Sequence, residues 1–154
     1  MIKLNLGSGT SRYEDYLSVD LHTDADLNHD LTTPLPYKDG EVDKIYSSHV
    51  IEHFTRDEWE GVRKDWARVI KSGGTIELRC PDMYKVCKRL VSSNSDEEIE
   101  LAFTRIYGAQ AHAGDFHKNG FMWGKLRDSF PDFIMDGLEP STDYELHVLL
   151  TKRT

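Results

Sequence analysis

The sequence predicts an α/β fold: a mostly parallel, twisted sheet with an antiparallel hairpin at its C-terminal end. Three observations predict it. Short alternating segments take turns with stretches whose apolar residues fall at helical spacing. The first of these segments, Ile2–Leu6, runs straight into Gly7-Ser-Gly9, a strand meeting a tight turn. The last two, Phe133–Asp136 and Tyr144–Thr151, stand close enough to pair antiparallel. With 154 residues, 38% of them hydrophobic, the chain has the core of one domain spanning 1–154 and too little for two.

The elements follow in order. Ile2, Leu4 and Leu6 share one face of the first strand. Tyr16–Leu21 reads as a second strand and Ala25–Leu31 as a weak third. Only eleven residues lie between Leu6 and Ser18. A parallel crossover usually takes about a dozen or more and a helix, so this one is predicted to be cut short. Pro34-Leu-Pro36 and Lys38-Asp-Gly40 are turn chemistry, and Val42–Tyr46 is a fourth strand. Thr55-Arg-Asp-Glu58 is a capping box, and Trp59, Val62, Trp66, Val69 and Ile70 then fall on one helical face. Gly73 and Gly74 are expected to end that helix. Thr75–Cys80 alternates again and stops at Pro81, and Tyr84–Val91 has helical spacing. Ser95-Asp-Glu-Glu98 reads as a second capping box before Ile99, Ala102, Phe103 and Ile106. A long loop over 108–120 precedes a last helix marked by Trp123, Leu126 and Phe130 and stopped by Pro131.

Composition narrows the function. Lys plus Arg number 19 and Asp plus Glu 27, for a net charge of −8. Acidic residues outnumber basic ones thirteen to five in 1–60 and eleven to six in 91–154, whereas 61–90 holds eight basic and three acidic. That middle stretch reads as a solvated helix face. The acidic field of the whole repels nucleic acid. No apolar run reaches the roughly 18 residues of a membrane span, and the N-terminus lacks a signal layout. Two cysteines, Cys80 and Cys87, give no disulfide framework, are read as buried structural thiols, and fit a cytoplasmic location. The three tryptophans are read as core.

The sharpest feature is Leu4-Asn-Leu-Gly-Ser-Gly-Thr10 followed by Val19-Asp20. Glycines after a strand let a ligand approach the backbone, and an acid ending the next strand can accept hydrogen bonds from a ribose diol. The third glycine of a dinucleotide fingerprint is missing, Asp20 comes too early for that motif, and there is no Gly-Lys-Ser/Thr, which argues against NAD and ATP.

These residues belong to a longer ordered series: Lys3-Leu-Asn-Leu-Gly-Ser-Gly9, Val19-Asp20-Leu21, His29-Asp-Leu31, Pro34-Leu-Pro-Tyr37, Val42 through His53, Arg68-Val-Ile-Lys-Ser-Gly-Gly74 and Cys80-Pro-Asp82. The later stretches Ile106–Gln110 and Asp115–Phe121 extend it. In this series the chain resembles the class I S-adenosylmethionine-dependent methyltransferases, in their small type 11 branch. The resemblance implies one Rossmann-like domain with a cofactor-binding half, 1–85, and a C-terminal half, 86–154. It implies that Leu6, Gly7, Ser8 and Gly9 meet the methionine part of S-adenosylmethionine. Asp20 would hold the ribose, and Leu21, Asp30 and Leu31 would lie at the adenine. Ser48 and His49 would line the methionyl end and the acceptor mouth. Ser8 and Thr10 depart from the commoner residues of that family.

Methyl transfer from a sulfonium needs alignment first and a base only for some acceptors. His117, in the long loop beside Asp115 and Asn119, is the candidate base; its other reading is a loop histidine bonded to carbonyls. His112 is a second candidate, and His49 is expected to position ligand. The loop is read as a substrate-side lid, with Gln110, His112, Asp115 and Asn119 toward a small-molecule or saccharide acceptor. Two other readings stand beside this one. His49-Val-Ile-Glu-His53 matches the inverted zinc-peptidase pattern, in which two histidines one helical turn apart bind zinc, Glu52 acts as base, and Glu97, Glu98 or Glu100 would supply a third ligand. The trimmed first crossover also fits a cofactor-binding module or partner subunit without catalysis. The expectation favours the methyltransferase, with no metal.

Overall fold

The computed structural model describes residues 1–154. Alternation at the N-terminus becomes β1 (Lys3–Leu6), which pairs in parallel with β2 (Leu17–Asp20) on one side and β4 (Val42–Ser48) on the other. The weak third strand shrinks to β3 (Leu27–Asn28) at the sheet edge. No helix interrupts the chain between β1 and β2, as the short spacing requires. A 3₁₀ turn, Ile51–His53, follows β4 and leads into α1 (Arg56–Val69). β5 (Ile70–Pro81) lies beside β4, and α2 (Met83–Ser92), α3 (Asp96–Tyr107) and α4 (Trp123–Asp128) follow it. β6 (Phe133–Gly137) and β7 (Glu145–Lys152) pair antiparallel, and β7 inserts antiparallel beside β5. The sheet has seven strands in the order β3-β2-β1-β4-β5-β7-β6.

One sheet face is apolar. Register aligns Leu4, Ile45, Ile76 and Leu150 across four strands, and all are fully or nearly fully buried. Trp59, Val62, Trp66 and Val69 of α1 belong to the same core cluster. Trp59 meets Trp66, Phe121 and Phe130 edge-on, with ring centroids 5.3–6.0 Å apart. Such pairs add about 0.5–1.5 kcal/mol each beyond area burial. Leu126, Phe130 and Phe133 extend the cluster. The other face carries Lys3, Tyr46, Glu77 and Arg79, and with no helix in the first two crossovers it stays half-open. Tyr13, Tyr16, Tyr46, Glu77 and Arg79 line a cleft of about 390 Å³ there.

Several local expectations are corrected. The capping box at Thr55 is formed in full, but α1 ends at Val69, before the two glycines. Buried Ile70 pairs with Val42 and pulls the chain into the sheet early. Gly73 and Gly74 lie inside the resulting bulge, where Lys44 next pairs with Thr75. Ser95 makes no side-chain cap; Glu98 instead accepts from Ser93 Oγ at 2.6 Å and Arg89 at 2.9 Å. The cap that forms unforeseen is Asp82, which accepts from the backbone N–H groups of Tyr84 and Lys85. Trp123 is 42% exposed, at the first residue of the six-residue α4 with its ring edge against Gly137 of β6. Cys80 is buried and Cys87 exposed, on the outer side of α2.

Candidate functional site

The carboxyl ends of β1, β2 and β4 meet a cleft of about 280 Å³. Its floor is the turn after β1. Gly7 and Ser8 donate their backbone N–H groups to Val19 O at 2.8 and 3.1 Å, so the turn is tied across to β2. Gly7 has a φ of +66°, and a Cβ there would stand 2.4 Å from Val50 Cγ2. Only glycine fits both the left-handed backbone and the close approach. Beside Gly9 the corresponding direction is open space.

Asp20 closes β2. Its Oδ2 accepts from Gly9 N at 2.9 Å, and its Oδ1 accepts from His22 N at 2.8 Å and Thr23 N at 3.0 Å. Partial burial raises the carboxyl pKa, but these hydrogen bonds outweigh it and hold the group below its ordinary range. Three of the roughly four lone-pair sites of the carboxylate are used, which leaves one for a ligand. Thr23 Oγ1 also donates to Gly9 O at 2.8 Å, so β2's end braces the glycine turn from both directions. Asp30 Oδ1 accepts from Thr32 N and Thr32 Oγ1, and these bonds lower its pKa as well.

His49 follows β4 with a φ of +56°, a left-handed conformation in a residue with a side chain. Such strain persists only where surrounding contacts over-determine it. Here Nδ1 stands 3.2 Å from Glu52 Oε1, Nε2 stands 3.3 Å from Glu145 Oε1, and the backbone N–H donates to Arg79 O. The hydrogen bond to Glu52 leads the causes that raise the His49 pKa, against a lowering by burial. Glu52 and Glu145 are both buried, at 2% and 4% exposure. Together with Asp82 and with desolvation, which is the largest cause, they push the thiol pKa of Cys80 well up.

The residues expected from sequence divide between places. Gly7, Asp20, Leu21, Asp30, Leu31, His49 and His112 line the cleft. Leu6 is fully buried in the core beneath it, and Ser8 is buried within the turn. Gly9 and Ser48 adjoin the cleft in sequence without lining it. The long loop splits. His112 and Gly114 reach the cleft, whereas Asp115 stays within the loop, accepting from Ala111 N at 3.1 Å. Asn119 points to another depression with Trp59 and Lys125, and Gln110 lines neither. His117 donates from Nδ1 to Arg105 O at 2.9 Å, and its ring stands 4.9 Å from that of His53. The zinc-peptidase geometry is not formed: His49 follows a strand, Ile51–His53 is a 3₁₀ turn, and the two histidines share no α-helix.

Sequence reading missed His22, His29 and Val50 as cleft residues, and it missed the Glu145 partner of His49. Five of the chain's seven histidines line this cleft, and a sixth, His117, touches one of them. Their number was a signal; their convergence, from four separate segments, was not visible. One liganding atom each from Glu52, His53 and His117 lie within 4.8 Å of one another.

Residues 4–78 match the family described as "Methyltransferase domain". No curated protein matches the sequence. Among solved structures, a Pyrococcus horikoshii protein is similar at 17% identity and a TM-score of 0.68, over 98% of this chain and 81% of its own. A SAM-dependent methyltransferase from Archaeoglobus fulgidus gives 13% identity and 0.65, over 97% and 85%. A Burkholderia thailandensis N1-methyltransferase, with bound 1,6-didemethyltoxoflavin and S-adenosylhomocysteine, gives 11% and 0.69, over 99% and 71%.

Proposed function

We propose, from the match of residues 4–78 to the family described as "Methyltransferase domain", that this chain is an S-adenosylmethionine-dependent methyltransferase of class I, acting on a small-molecule or saccharide acceptor. The observation that carries the reading is the braced turn: Gly7 without room for a Cβ, and Asp20 holding Gly9 beside open space. Ligands of parallel sheets bind outside the carboxyl ends of the strands, where this turn lies.

Asp20, with one lone pair left, would hold the ribose, and Asp30 Oδ2, free of protein bonds, would accept a hydrogen bond from the adenine. Leu21, half exposed, and Leu31 give the base apolar surface. His49 would adjoin the methionyl end of a bound cofactor, and His49, His53 and His112 would line the way in for the acceptor. Transfer is an in-line displacement for which alignment supplies up to about 7–11 kcal/mol. His49, held by two buried carboxylates that raise its pKa, positions ligand at the mouth. The bound pair in the Burkholderia structure, 1,6-didemethyltoxoflavin beside S-adenosylhomocysteine, supports a small acceptor. The acidic chain, whose basic residues in 61–90 are mostly ion-paired, supports an acceptor other than nucleic acid.

Calorimetry with S-adenosylmethionine and S-adenosylhomocysteine tests this. Both are expected to bind, and Asp20→Ala is expected to weaken each at least tenfold. Absence of binding by either, or an unchanged affinity in the variant, contradicts it. The missing first helix favours one second reading, a module that binds cofactor without turnover. Binding with no methyl transfer across a broad acceptor pool would support that reading.

A further inference from the structure

We infer that Glu52, His53 and His117 form a binding site for one divalent transition-metal cation of the zinc type. Three independent features converge there. First, the liganding atoms of the three residues already lie within 4.8 Å of one another, with Glu52 buried and both histidines half-buried. Ligands around one zinc-sized ion stand about 3.3 Å apart, so small rotations of the two half-buried rings close the site.

Second, both histidines are prepared as ligands. His53 Nδ1 donates to Phe116 O at 3.2 Å, and His117 Nδ1 donates to Arg105 O at 2.9 Å. A histidine that spends its Nδ1–H on a carbonyl keeps a lone pair on Nε2, which is the tautomer and orientation a metal requires. Third, Glu52 Oε2 is buried without any hydrogen-bond partner, while Oε1 is held by His49. An unpaired buried carboxylate oxygen is costly, and a cation removes that cost.

The backbone is built to hold the three together. Glu52 O accepts from Lys118 N at 2.8 Å and Asn119 N at 3.1 Å, and His117 N donates to Tyr107 O. These bonds pin the end of the 108–120 loop onto the 3₁₀ turn, so residues 64 positions apart in sequence meet. Two imidazoles and a carboxylate suit zinc, cobalt or ferrous iron more than magnesium or calcium. Three protein ligands leave at least one coordination position open. His53 lines the cleft, so that position is reached from the acceptor side.

Where the methyltransferase reading also holds, the cation acts on an oxygen acceptor. A hydroxyl on the metal loses its proton to water more readily. Its oxygen then bonds to the methyl carbon as the carbon–sulfur bond breaks, with the electron pair staying on sulfur. This last step rests on that reading; the cation site does not.

The test titrates Co²⁺ into the chelator-treated full-length protein and follows visible absorption and thermal stability. One equivalent is expected to bind and raise Tm, with Zn²⁺ displacing it. Glu52→Gln and His117→Ala are each expected to lose at least tenfold in affinity, and His112→Ala to keep it. Circular dichroism confirms that each variant is folded, and Glu52→Gln keeps side-chain volume. No uptake by the wild type overturns the site, as does equal uptake by the folded His117→Ala protein. S-adenosylhomocysteine calorimetry on the metal-free protein separates the two conclusions. Cation uptake without cofactor binding leaves the metal site and removes the methyltransferase; cofactor binding without cation uptake does the reverse.

Discussion

At Asp20 a single carboxylate joins two strands and a turn. It takes three backbone N–H groups that would otherwise face the cleft unpaired. Its pKa in the folded protein lies below the ordinary value of about 3.9. The folded state therefore binds this proton less readily than the unfolded chain. The stability it contributes is fully present above the unfolded value and is lost as pH falls through the folded one. Asp20→Asn is accordingly expected to lower Tm at pH 7, with the gap to wild type closing as pH falls below about 4. Thermal melts at several pH values check this; a gap constant down to pH 2 would contradict it. The sequence marked Asp20 because an acid ending the strand after a glycine turn can accept hydrogen bonds from a ribose diol. It did not mark Glu145 as a partner of His49, since a buried contact across 96 residues leaves no local pattern.

Among elements, the segment between α3 and α4 decides how the site is assembled. Gly108 starts it with a φ of +82°, and a Cβ there would lie 1.9 Å from Asp115 O. The loop folds back on that glycine before His117 reaches His53. Gly108→Ala is expected to undo the return. The positive φ with an extended ψ of 167°, a region essentially reserved for glycine, alone costs about 1–3 kcal/mol, and the overlap with a carbonyl adds to it. Residues 108–118 should become the first site cut in limited proteolysis, while the sheet and α1 stay protected. Unchanged proteolysis would mean the loop finds another path. Helix ends show the limit of element reading. Thr55 caps α1 as its four-residue pattern promised, because a capping box is local. Ile70 leaves that helix because of Val42, a residue twenty-eight positions away, and no window of sequence contains both.

For the whole molecule, alternation was legible because each strand has one apolar and one polar face. Parallel strands covered on both sides read as continuous apolar runs. Here Ile76, Leu78 and Cys80 alternate with Glu77 and Arg79. The shortened crossover and the alternating strands are thus one fact seen twice: without helices over β1 and β2, the second face must be polar. Charge follows the same logic. Arg63, Arg68, Lys71 and Arg89 each meet a carboxylate, so the basic middle of the sequence disperses into local pairs. Exposed pairs of this kind contribute little to stability, about 0–1 kcal/mol each.

That half-open face has a thermal consequence. Exposing apolar surface on unfolding raises heat capacity, and exposing polar surface lowers it. A domain of this length ordinarily shows about 2 kcal/mol/K. A sheet whose second face is already wet has less apolar surface to expose, so its heat-capacity change should fall below that. Scanning calorimetry across a pH series would measure it, and a value at or above the ordinary one would mean the face is covered in solution. A lower value flattens the stability curve. The stability would then change more slowly with warming and persist further into the cold than that of a fully layered domain of equal size.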